Sequence, residues 1–153
     1  MHPKLIGCTN CFADLKLAER GWKIIRNGMH FPIGKLVTIH GDQIGGAYDA
    51  GVMPARKATE VCQALQGHTH SAQSFSQVSP ADQKNKQMGF VSPLLGTTNA
   101  HFMRNRPNAW THGFTLVDVR EDGNFNCYLV TVCDGQFSIG GEVYGNRTRP
   151  IAA

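Results

Sequence analysis

The chain has 153 residues, 41% of them hydrophobic and 17% charged, with 17 glycines and a net charge of +4. This suits one soluble, turn-rich domain large enough to bury a core, and it excludes a membrane-spanning helix, because no run of about 18 apolar residues occurs. The charge is compatible with a phosphate-bearing partner without demanding one. Five cysteines, an odd count, and an N-terminus (Met1-His2-Pro3-Lys4) without an apolar stretch point to reduced thiols and a cytoplasmic location.

In chain order, Cys8-Thr9-Asn10-Cys11 reads as two ordinary thiols in a loop. A structural zinc site would need further ligands from Cys62, Cys127, Cys133 or a histidine. Asp14–Arg20 reads as one or two helical turns stopped by Gly21, and Trp22–Ile25 as a strand turned at Asn27-Gly28. Leu36, Val37 and Ile39 make Lys35–Ile39 a near-continuous apolar strand that ends in His40-Gly41-Asp42. A glycine-bearing loop, Gly41 to Gly51, leads to a helix expected from Pro54 to about Glu60, and residues 61–66 form the next strand, which runs into Gly67-His68-Thr69-His70. This order predicts a βαβ unit with parallel strands and both histidine loops at one edge.

Ser71–Gln87, rich in Ser, Gln, Asn and Lys, reads as a loop or hairpin tip, and Met88–Leu95 as a strand broken by Pro93. Gly96–Asn108 is polar. Strands follow at Gly113–Val119, Phe125–Val132 and Gln136–Ile139, the last running on towards Val143-Tyr144, with turns at Glu121-Asp122-Gly123 and Asp134-Gly135. One domain over residues 1–145 with a loose tail over 146–153 is expected.

Chemistry concentrates on His40, His68 and His70. Imidazoles at strand ends suit a transition metal, because loops let ligands converge while strands hold them, and nitrogen donors fit Mn2+, Fe, Zn2+ or Ni2+. Carboxylates would complete the shell. Arg104, Arg106 and His112 are substrate-binding candidates, since arginine holds phosphate oxygens in pairs and Trp110 beside them offers a ring for a base; the plainer reading is a solvated basic loop and a core tryptophan. Asp42 reads as a turn residue, and His2, His30 and His101 carry no context.

The pair His40-Gly41 and Gly67-His68-Thr69-His70 resembles the last two motifs of the calcineurin-like metallophosphoesterases. The similarity extends over Leu17–Trp22, Leu95-Gly96-Thr97 and Trp110–Phe114 to phage-type and bacterial members. The resemblance implies that His40 and His68 share one divalent ion, Mn2+ first among the candidates, and that His70 faces a second. It also implies hydrolysis of a phosphomonoester, a phosphodiester or nucleic acid by a metal-bound hydroxide.

No Asp is followed two residues later by His, and no Gly-Asn-His occurs. Those are earlier motifs of the family, so the resemblance implies an α/β chain: the C-terminal half of a four-layer αββα sandwich, a βαβ unit followed by an antiparallel meander. An upstream segment or a partner chain would supply the missing ligands. The alternative from another class is a non-catalytic metal- or phosphate-binding half-domain that associates with another chain.

Overall fold

A computed structural model describes residues 16–23, 25, 29–42, 63–104 and 106–145. These residues are almost entirely β. Nine strands occur among them: β1 Phe31–Ile33, β2 Leu36–Ile39, β3 Ala64–Gln66, β4 Gln73–Val78, β5 Lys86–Val91, β6 Gly113–Val119, β7 Phe125–Thr131, β8 Gln136–Ile139 and β9 Glu142–Gly145. One 3-10 turn spans His101–Met103, and none of their helices is long and apolar enough to cross a membrane.

The first five strands form a mixed sheet in the order β1-β2-β3-β5-β4. β2, β3 and β5 run parallel through the centre, in register Val37 with Ala64 with Gly89 and Ile39 with Gln66 with Val91. β1 and β4 flank them antiparallel. Leu36, Ala64 and Val91, one from each central strand, are fully buried. The register puts Leu36, Leu65 and Phe90 on one face of the sheet and Val37, Ile39, Ala64, Gln66 and Val91 on the other.

The β6–β7 hairpin crosses the first of these faces. It is anchored at the carboxyl edge by Leu94 N donating to Thr111 O (2.9 Å), Gly113 N to Leu94 O (2.9 Å) and Thr115 Oγ1 to Ser92 Oγ (2.8 Å). The Phe125 ring meets Phe90 edge-on, 6.2 Å between centroids. At the amino edge Lys35 N donates to Gly123 O (2.8 Å). β8–β9 is a further hairpin, joined to β6 through Phe114 against Phe137 (5.0 Å), with Phe137 stacked on Tyr144 (5.4 Å).

The α/β expectation is overturned. β2 and β3 are parallel neighbours, but the helix expected over Pro54–Glu60 lies outside the described residues. The next parallel pair, β3 and β5, is joined not by a helix but through β4, an extra strand that returns on the far side of β5. The C-terminal strands make two separate hairpins rather than one layer of a sandwich. Ser71–Gln87 misled because only Gln73 and Phe75 of β4 are half-buried while Ser74, Ser76, Gln77 and Val78 are exposed, so the strand shows almost no apolar alternation. Trp22, Lys23 and Ile25 are in no strand. Residues 16–21 do form a closed turn, with Gly21 N on Ala18 O (3.0 Å) and Trp22 N on Leu17 O (3.0 Å).

The turn between β1 and β2 lies close against the hairpin, with Lys35 N on Gly123 O at 2.8 Å. Gly34 has φ +61°, and a Cβ there would lie 2.6 Å from Gly123 O and 2.8 Å from Val119 Cγ1. Gly34→Ala must therefore both strain the left-handed backbone and push the hairpin off the sheet. We expect a stability loss of about 2 kcal/mol or more, read as a lowered midpoint in thermal or urea unfolding; an unchanged midpoint would show that the hairpin does not press on this turn.

Candidate metal centre

The parallel ladder between β2 and β3 continues past its last strand pair: Gly67 N donates to His40 O at 3.1 Å. That bond fixes His40 beside Gly67 and brings the next residue, His68, to the same spot. His40 Nε2 and His68 Nδ1 are 3.2 Å apart, with ring centroids at 4.9 Å and planes at 67°. Two imidazole nitrogens each about 2.0–2.1 Å from one tetrahedral ion sit about 3.3 Å apart. The observed pair thus fits a shared ion without movement of either strand, and it equally accommodates one shared proton.

The turn that presents these rings is unusual. Thr69 N donates back to Gly67 O at 2.7 Å, closing a three-residue turn centred on His68, whose φ is +59°. This is the rarer, strained hand of that turn. His70 repeats the left-handed backbone at φ +57°. Two non-glycine residues in this region cost about 1–3 kcal/mol each, and such strain gathers where side chains must be aimed.

His70 is turned towards Trp110, with ring centroids 4.7 Å apart and planes at 78°. Its Nδ1 is buried without a hydrogen-bond partner among the described residues. Burial, and then the neighbouring His68 and His40, hold its imidazole below the usual histidine range, so it is biased to the neutral, ligating form.

Beneath the turn lie two polar side chains that the sequence reading passed over. The Gln66 amide and the Thr69 hydroxyl are buried and unpartnered among the described residues. Gln66 packs under Gly41, where a Cβ would come within 3.1 Å of the Gln66 side chain. The signal for Gln66 was present as a polar residue two positions after Ala64, on the same inward face of β3.

The remaining candidates are less convergent. Among the described residues no group of three or more His, Cys, Asp or Glu side chains would hold an ion by itself, so His40 and His68 make a two-nitrogen seat with His70 alongside. Arg104 caps the 3-10 turn in a left-handed conformation, and Arg104, Arg106 and His112 are all exposed. Their segment is nevertheless tied to the histidine turn: Thr111 N donates to His70 O (2.8 Å), Ala72 N to Thr111 Oγ1 (3.2 Å), and Phe102 touches Trp110 (5.9 Å). Cys8, Cys11 and Cys62 lie outside the described residues. Cys127 and Cys133 are free thiols, and burial pushes Cys127 up to about 11, which keeps it protonated at neutral pH.

Two outcomes follow. A histidine whose folded pKa lies below its unfolded value of 6.5 lends stability above that pH and loses it as pH falls through the folded value. Melting of the ion-free chain should therefore decline from pH 7 towards pH 5, and His70→Asn should flatten that decline; equal profiles would remove His70 as its source. His68→Gly should keep the stability of the ion-free chain or raise it by up to about 1 kcal/mol, read in thermal or urea unfolding, because glycine relieves the left-handed strain. A clear loss of stability would mean that the His68 ring, not its aim at an ion, holds this turn.

Set against models of protein families, characterised proteins and solved structures, the chain finds no match in any of the three comparisons.

Proposed function

We propose that the chain binds a divalent metal ion at His40 and His68 and hydrolyses phosphoesters with it, Mn2+ being the first candidate and Fe, Zn2+ and Ni2+ the others that imidazole suits. The observation that carries this reading is the 3.2 Å approach of His40 Nε2 to His68 Nδ1 across the ends of adjacent parallel strands. A divalent ion bound there supplies Lewis acidity and a nucleophilic water at neutral pH. The chain's own groups do the rest. His70 stays neutral against Trp110 beside the seat, and Arg104 and Arg106, on the segment that Thr111 ties to His70, are the cations that would meet the phosphate oxygens. Carboxylate ligands would come from a segment or partner chain that carries the family's earlier motifs.

One observation favours a second reading. The described residues gather two close nitrogens and no complete ligand set, which suits a metal- or phosphate-binding half-domain that does no chemistry until it joins another chain.

The test measures bound metal per chain and turnover of bis-p-nitrophenyl phosphate with added Mn2+. The enzyme reading expects turnover that falls about 100-fold or more in His40→Ala and in His68→Ala, more than the 10- to 100-fold typical of residues behind a metal's ligands. One ion per chain, lost in both variants, with no turnover would establish the half-domain. No ion at all would overturn the enzyme and the metal-binding half-domain alike, leaving only the phosphate-binding form.

A further inference from the structure

The opposite edge of the sheet carries a second candidate site, built from different chemistry. Because β2, β3 and β5 are parallel and in register, their amino ends lie together, away from the histidines. Lys35 precedes β2, Gln63 precedes β3 and Lys86 begins β5. The β4–β5 connection, with Gln83 and Lys84, turns at this edge because Val78 pairs with Lys86. The β6–β7 turn arrives there too, through Lys35 N to Gly123 O (2.8 Å) and Lys35 Nζ to Asn124 Oδ1 (3.0 Å). Between these elements runs a groove of about 720 Å3, within the size range of ligand sites.

Four cations line it: Lys35, Lys84, Lys86 and Arg120. No carboxylate lines it. Asp82 and Asp122 stand nearby, and both are engaged. Asp82 accepts from Lys84 N at 3.0 Å, and Asp122 accepts from Asn124 N at 2.8 Å and stands 3.8 Å from Arg120 Nε. Among the described residues neither Lys84 nor Lys86 pairs with a carboxylate. The cations come from three places, the β1–β2 turn, the β4–β5 connection with the start of β5, and the β6–β7 turn, so they form an array rather than a point, which matches a row of phosphates better than one phosphate. Between them sit the amides of Gln63, Gln83 and Asn126, and Met88 and Phe125 supply apolar floor. Amides offer donors and acceptors together. A ligand made only of acceptors would leave their carbonyl oxygens unmatched, whereas base edges present both.

We propose that this groove binds the phosphodiester backbone of single-stranded nucleic acid, with the lysines and Arg120 on phosphates and the amides on exposed base edges. Single strands suit it better than a duplex because only unpaired bases present their Watson–Crick edges and lay a face on an apolar floor. The site is independent of the metal reading.

The experiment is fluorescence anisotropy of a labelled single-stranded DNA oligonucleotide of mixed sequence with the full chain in EDTA, over a series of salt concentrations. Neutralising three or four phosphates gives a slope of log affinity on log salt of roughly −2 to −3 for a single strand. The double variant Lys84→Ala/Lys86→Ala should make that slope shallower by about 0.7 for each lysine and weaken binding on the order of tenfold. Lys16→Ala, an exposed lysine outside the groove, should leave both unchanged. Circular dichroism checks that the double variant is folded, and Arg120→Ala provides an independent second variant. Absence of binding, an equal loss in Lys16→Ala, or duplex DNA, inorganic polyphosphate or poly-glutamate binding as tightly as the single strand would each overturn the proposal.

Discussion

Four backbone residues hold the centre of this molecule. The register of Ile39 with Gln66 and the hydrogen bond from Gly67 N to His40 O together fix where two strands end, and therefore where two imidazoles meet. A slip of one residue would turn Ala64 and Gln66 to the other face and move His68 by more than 3 Å, the rise of one strand residue. The register itself is pinned by burial. Leu36, Ala64 and Val91 are wholly enclosed, and a shift would exchange them for half-buried neighbours. The site depends on the core in a direct geometric sense.

Edge chemistry divides the sheet. One end of the parallel strands collects imidazole nitrogens, and the other collects cations and amides on open connections. Parallel strands make this possible, because equivalent ends of β2, β3 and β5 fall on the same side. The β6–β7 hairpin spans the two ends. Its Thr111 side touches the histidine turn and its Gly123 side touches Lys35. Anything that tilts the hairpin therefore acts on both places at once.

Much of the local structure was legible in the sequence. Strong alternation and Asp-Gly turns marked β6, β7 and β8, and the apolar run marked β2 with its histidine end. The fold class was not legible. A spacing of two strands with room for a helix between them suggests βαβ, but parallel neighbours require only a long enough connection, and β3 reaches β5 by way of another strand. β4 was hidden because its buried side carries few apolar residues. At the site, His40 and His68 were paired by position alone, while the left-handed turn that aims His68 has no sequence signature beyond the preceding glycine. Gln66 was missed because a polar residue in a short apolar strand is ordinarily assigned to its wet face.

The outermost strand β1 contains a proline at its midpoint. Across the tight turn, Ile33 pairs with Leu36 and Phe31 with Thr38, so Pro32 is the residue of β1 that faces away from the sheet, and it has no N–H to offer. β4, at the other flank, carries no such block among its residues. Open-ended stacking of one sheet on the next needs a willing edge on both sides. A molecule with one capped flank that recruited a second copy through β4 would finish as a closed pair, with both proline edges outward and no template for a third.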